Sequence, residues 1–140
     1  MNTNAYLDGY LHKTANEQAV RTILSEARGQ GPREMKLVAD VIANRAAKRK
    51  LTPNQVVMQP KQFSVWNDRT SPNYKDTMAI QRTSLLYQQA QRLLQARLAK
   101  QSPDWTNGAT HFYNPQTVTP KWGKGFENIR GSTHVFGKAR

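Results

Sequence analysis

Ile23-Leu-Ser-Glu26-Ala-Arg-Gly29 places one carboxylate in the last turn of a helix, and the chain on either side reads as its support. Upstream, Thr14-Ala-Asn-Glu17 has the spacing of a capping box, in which a hydroxyl and a carboxylate satisfy unpaired backbone amides at a helix start. From there Ala19, Val20, Ile23, Leu24 and Ala27 recur at three- and four-residue steps and form one apolar stripe. At about 100° per residue, Glu26 falls roughly 90° from the centre of that stripe, on the border between core and solvent. Ser25 points away. Burial at such a border favours the protonated carboxyl and still leaves it within reach of a ligand in a cleft. The plainer reading, a solvated charge on a helix flank, stands beside it. Gly29-Gln-Gly31-Pro32 ends the helix, since glycine suits a left-handed cap and Pro32 suits the first position of the next helix.

That next helix is expected from Pro32 to about Arg49, with Met35, Val38, Ala39, Val41, Ile42 and Ala46 as its buried stripe and Asn44-Arg45 near the edge. Its basic end, Lys48-Arg49-Lys50, suits the negative end of the helix dipole. Thr52-Pro53 opens a short helix to about Met58. The loop from Gln59 to Asp68 then combines glutamines, Ser64 and Asn67 with Phe63 and Trp66. Rings that stack on pyranose faces beside amides that pair with hydroxyl and N-acetyl groups suit a sugar groove, although Phe63 and Trp66 serve equally well as core plugs. Asp76 is expected to cap a long helix to about Lys100, and Ser102-Pro-Asp-Trp105 breaks it. Thr110-His-Phe-Tyr113 and His134-Val-Phe136 read as short strands. The expected fold is mainly α (α+β), one domain over residues 1–140 with a small β-hairpin or sheet in the C-terminal third forming a cleft wall opposite Glu26.

A chain of 140 residues buries roughly 70% of its extended surface as one domain. The net charge is +12, so the surface attracts polyanions: nucleic acid, anionic lipid head groups or the anionic polymers of a bacterial envelope. The excess lies in the middle, where residues 32–100 carry thirteen basic side chains against four acidic. There is no cysteine, hence no disulfide, thiol nucleophile or zinc-thiolate site. No stretch approaches the 18 or so apolar residues of a membrane span, and the first residues lack the pattern of a signal peptide. His12, His111 and His134 lack metal-ligand spacing, Gly29-Gln-Gly31 lacks the context of a phosphate loop, and neither Ser25 nor Ser64 sits in a nucleophile elbow. No cofactor or metal is expected. Carboxylate acid/base chemistry remains, with Glu34, Asp40 and Asp68 as possible seconds to Glu26; none forms a clear pair, which favours a mechanism with a single carboxylate.

The blocks Ile23 to Gly29, Val38-Ala-Asp-Val-Ile-Ala-Asn44-Arg45, Gln59 to Ser64, Gly108-Ala-Thr-His-Phe-Tyr-Asn114-Pro115, Pro120-Lys-Trp122 and His134-Val-Phe136 resemble, in order, the spore-cortex-lytic cell-wall hydrolases of the SleB-like family. The resemblance spans roughly residues 19–138. It implies a lysozyme-like helical domain that cleaves the β-1,4 bond between N-acetylmuramic acid and N-acetylglucosamine as a lytic transglycosylase, leaving a 1,6-anhydro product. The family's catalytic glutamate maps to Glu26, as acid and then base. Gln59, Gln62, Phe63, Ser64, His111, Tyr113, Asn114 and Trp122 are expected to line the substrate groove, and Asn44 and Arg45 to buttress it. Gln30 departs from the family pattern, in which many members carry an acid after the glycine. A compact, basic, leaderless catalytic domain resembles a phage lysin, expected to be monomeric, made in the host cytoplasm and delivered to the wall through a holin pore or in a virion. A muramidase, in which water attacks, and a basic nucleic-acid-binding module are the alternative readings; for the latter, the basic residues are spread over several helices rather than gathered in one stripe.

Overall fold

The computed structural model describes residues 16–139. Thr14, and with it the expected capping box, lies outside the described residues, as does His12. Among the described residues five α-helices precede a small sheet: α1 (Glu17–Ala27), α2 (Pro32–Arg49), α3 (Pro53–Met58), α4 (Pro72–Ala79) and α5 (Leu85–Leu98), then β1 (His111–Tyr113), β2 (Glu127–Asn128) and β3 (Val135–Gly137). Asn16 is the N-cap of α1 but makes no side-chain capping bond. The Glu17 carboxylate instead takes Arg21 at 3.1 Å and Arg82 at 2.7 Å. Between α1 and α2 the chain makes one tight turn at Arg28–Gln30, and Gly31 adopts φ 91°, ψ 179°, a conformation open in practice only to glycine. Pro32 then starts α2.

Helix α2 is the centre of the molecule, packed against α1, α3 and α5. Its apolar side joins Ile23 and Leu24 of α1, Val57, Tyr87 and Leu94 in the main core. Each fully buried side chain of this size is worth about 1.5–3 kcal/mol. Its other side is buried too, but with polar groups. Lys36 donates to Asp40 and, at 2.6 Å, to the carbonyl of Pro103. Asp40 pairs with Arg97 of α5 at 3.0 Å and accepts from the Trp105 amide at 2.9 Å. Asn44 donates to Asp104 at 2.9 Å and to the carbonyl of Ala109 at 3.0 Å. The irregular segment after α5 is thereby stitched along α2, and the strands that follow are set down at a fixed place.

Where a single long helix from Asp76 is expected, the structure has two. Ser71 caps α4 by accepting from the Tyr74 amide, Ser84 caps α5 by accepting from the Tyr87 amide, and the chain turns between them. Asp76 caps neither. The turn lets Arg21 reach the carbonyls of Thr77 and Ile80, at 3.0 and 2.9 Å, and brings Arg82 onto Glu17.

The sheet is antiparallel with order β1-β3-β2. His111, Phe112 and Tyr113 face Gly137, Phe136 and Val135 in register, and the two-residue β2 pairs the other edge of β3. Phe136 and Ala109 close a second, smaller core with Leu37 and Val41 of α2, against which Phe112 packs. No described helix is long and apolar enough to cross a membrane.

Loss of an N-cap hydroxyl costs about 1 kcal/mol, whereas an exposed substitution away from a cap stays within about 0.5 kcal/mol. Urea unfolding is therefore expected to show Ser84→Ala destabilised by about 1 kcal/mol and Asp76→Ala near the parent; the reverse order would restore the single-helix reading.

Candidate active site

Glu26 occupies the last turn of α1, half-buried and beside the core positions Ile23 and Ala27. Arg28 fixes this end of the helix: its guanidinium donates to the carbonyl of Leu24 at 3.2 Å, to Thr77 Oγ1 at 2.8 Å and to Asn73 Oδ1 at 3.4 Å. Glu26 itself makes no hydrogen bond to any described residue. Burial raises its pKa above the ordinary carboxylate value, and the charge of His134 opposes that rise. The result is a carboxyl disposed to hold its proton and left free to engage a ligand.

It opens onto a cleft of about 750 Å³. The 59–68 loop supplies Lys61, Gln62, Phe63, Ser64 and Asn67 to one side; β1 and the chain after it supply His111, Phe112, Tyr113, Asn114, Thr117 and Val118 to the other, with Trp122, His134 and Ala139. Glu26 is the one carboxylate among these lining residues. Asp40 is buried against Lys36 and Arg97, and Asp68 is occupied with Thr70 on the loop surface. Trp122, 43% exposed, stands at the mouth and packs on His111 and Tyr113 at ring distances of 5.4 and 5.8 Å. Tyr113 reaches this position because Gly123 lets it in: a Cβ there would lie 2.4 Å from its ring. Phe63, also named from the sequence as a core plug, does both things, being 4% exposed and yet on the cleft wall. Trp66 does not line the cleft, and its indole N–H donates to Thr22 Oγ1 at 2.9 Å. Of the nine residues singled out from the sequence, eight come together here. Gln59 does not: its amide oxygen is taken by Arg49, and it stands behind the wall.

The sequence matches the cell wall hydrolase family over residues 29–137. The chain belongs to that family. The match contains every cleft-lining residue except Glu26, three positions ahead of its start, and Ala139. Two solved structures share the fold. The catalytic domain of the Bacillus cereus SleB protein superposes with a TM-score of 0.64 at 21% identity, covering 86% of this chain and 87% of that one. The catalytic domain of the germination-specific lytic transglycosylase SleB from Bacillus anthracis gives 0.62 at 23% identity, covering 86% and 91%. No curated protein sequence matches. The chain is thus a peptidoglycan-degrading enzyme with the helical fold and small antiparallel sheet seen in SleB catalytic domains.

Two features of this cell wall hydrolase escape the sequence reading. The first is a buried hydrogen-bonded pair. Glu34, at the start of α2, accepts from His134 Nδ1 at 2.6 Å and from Ser132 Oγ at 2.8 Å. Burial alone would raise the Glu34 pKa, but the bonds from His134 and Ser132 outweigh it and hold the carboxyl below its usual range. Because a carboxylate only accepts, Nδ1 carries the proton and the ring is fixed in one orientation at the cleft, edge-on to Phe112. The partners lie 100 positions apart, so no local pattern announces them. The second is Arg45, expected only to buttress. It is 3% exposed and also lines the cleft. Asn44, by contrast, acts as a buttress alone. Among the described residues no group of three His, Cys, Asp or Glu side chains is placed to hold a metal.

The raised Glu26 pKa has a consequence for stability. A carboxyl that ionises less readily when folded destabilises the native state above its folded pKa, and that cost disappears below the unfolded value of 4.5. Thermal unfolding is expected to show Glu26→Gln more stable than the parent near pH 7, with the gap closing as the pH falls below about 4.5. A gap independent of pH would mean that burial does not strain this carboxylate.

Proposed function

We propose that this cell wall hydrolase is a lytic transglycosylase that cleaves the β-1,4 bond between N-acetylmuramic acid and N-acetylglucosamine. The observation that carries the reading is the solitary Glu26: one carboxyl whose pKa burial raises, with neither a hydrogen-bond partner nor a second acid in its cleft among the described residues. A hydrolase that works through water ordinarily needs two carboxylates, one as acid and one as base or nucleophile. An internal nucleophile removes that need. Protonated Glu26 gives its proton to the glycosidic oxygen as the bond to C1 breaks; the carboxylate left behind takes the proton of the muramoyl C6 hydroxyl as O6 closes on C1. The product is the 1,6-anhydro sugar, and Glu26 ends protonated, ready for the next cycle. The likeness to the Bacillus anthracis SleB domain, a lytic transglycosylase of the same fold, supports the reading.

The walls suit the substrate. Trp122 and Tyr113 offer ring faces to pyranoses, and Gln62, Asn114 and Ser64 offer amide and hydroxyl groups to hydroxyls and N-acetyl arms. The compact, strongly basic domain fits a phage lysin acting on an anionic envelope, a setting that a sporulation or housekeeping locus for the gene would overturn.

Purified peptidoglycan treated with the parent enzyme is expected to release anhydromuramoyl ends by mass spectrometry, and Glu26→Gln to release them about 10²–10⁴-fold more slowly. Reducing ends would make the enzyme a muramidase, and undiminished release by Glu26→Gln would remove Glu26 from the chemistry.

A further inference from the structure

Arg45 is a cation in the wrong place for its surroundings. Its side chain is almost wholly buried, at 3% exposure, and its guanidinium lies 5.1 Å from the centre of the Phe63 ring. Nε donates to the carbonyl of Thr110 at 2.8 Å and Nη1 to Gln62 Oε1 at 3.3 Å, while Nη2 has no hydrogen-bond partner among the described residues. All of these partners are neutral. Arg49 stands beside it and donates to the same Gln62 oxygen at 3.4 Å. No carboxylate reaches either guanidinium among the described residues, because Glu17, Glu34 and Asp40 are spent on other ion pairs and Asp104 is held by Asn44, Thr106 and Gly108.

A buried charge normally finds a counter-ion, since desolvation is otherwise uncompensated. Here a second like charge is added and no acid is supplied. Burial and Arg49 together pull the Arg45 pKa down to about 10. Burial, and then Arg45, Arg49 and Lys48, push His111 on the same wall down to about 4, so that ring stays neutral. The field at this end of the cleft is positive, and Lys61 at the rim adds to it. Glu26 does not neutralise it; the charge that acts on Glu26 is that of His134. Arg45 lines the cleft, and a counter-charge can reach it from there.

We propose that Arg45, backed by Arg49, forms a carboxylate-binding subsite within the cleft, apart from Glu26. On the peptidoglycan reading above, on which this rests, the ligand is the carboxylate of a muramoyl lactyl side chain or of the peptide joined to it. A planar guanidinium matches a carboxylate as a fork. The enzyme then selects strands that carry these acids over strands in which they are blocked.

The test reads binding, so that it does not depend on turnover. Glu26→Gln is titrated by calorimetry with muropeptide oligomers bearing free peptide carboxylates, with strands stripped of peptide by an amidase, which frees the lactyl carboxylate, and with each of the two blocked as methylamides. Blocking is expected to weaken binding about ten-fold or more. Full binding of stripped strands assigns the lactyl carboxylate, and weak binding assigns the peptide. Added to Glu26→Gln, Arg45→Gln should abolish the discrimination and bind free and blocked oligomers alike, while Arg45→Lys should restore part of it. Arg49→Gln, which leaves the contacts to Phe63 and Thr110 intact, should reduce the discrimination in a protein whose melting temperature certifies the fold. In the parent enzyme, blocking should raise KM and leave kcat in place. Equal binding of free and blocked forms for both the peptide-bearing and the stripped strands, binding of none of them, or discrimination that survives both arginine substitutions would overturn the subsite. Failure of the parent enzyme to release muropeptides would overturn the lytic reading instead, and would leave the binding result standing.

Discussion

The buried polar row of the central helix is the constraint from which the rest of this molecule follows. Lys36, Asp40 and Asn44 recur every fourth residue on a helix whose opposite side is solid hydrocarbon. Such groups are tolerated in an interior only when each one is bonded, and here their partners are the segment after α5 and Arg97 of α5 itself. Satisfying them dictates where the chain runs between Pro103 and Thr110. Once that path is set, β1 has one place to begin, and the cleft has its second wall.

Chemistry and architecture meet on the same helix. Its first turn carries Glu34, which holds His134 in place, and its last two turns carry Arg45 and Arg49. One rigid rod thus spaces the group that electrically influences Glu26 from the group that awaits an anion. Glu26 enters from a different helix, whose end is clamped by Arg28 to α4. The division is sensible for a carboxyl that has to give and take a proton, because its own hydrogen-bonding capacity is left uncommitted to the scaffold.

Much of this was legible in the sequence, for local reasons. Pro32–Arg49 and Pro53–Met58 announce themselves through proline at the first position and an unbroken apolar period. The split between α4 and α5 was not legible, because Ile80 to Ser84 contains neither glycine nor proline, and Ala79, Ile80, Leu86 and Tyr87 happen to continue a helical period across the turn. What ends α4 is tertiary: Arg21 collecting two carbonyls from a distant part of the chain. Strand β2, two exposed residues long, carries no alternation to read. At the site, aromatic and amide side chains identified the cleft walls by chemical type. Gln59 stands off the cleft, and nothing local distinguishes an amide on the cleft wall from one that does not line it. The Glu34–His134 pair and the unpaired Arg45 are properties of distance in space, and a single sequence contains no measure of that.

Strands β1 and β3 pair residues more than twenty positions apart, His111 with Gly137 and Tyr113 with Val135, and two of the sheet's three strands are only three residues long while the third has two. The helical part is held by nearby turns and a continuous core. Closing a long loop for a few ladder bonds is late and weak work in a folding chain. Such a region opens before the rest does. The cleft therefore joins two walls of different making: a helical bed, with Glu26 already in position, and an aromatic wall whose place depends on pairing between distant parts of the chain.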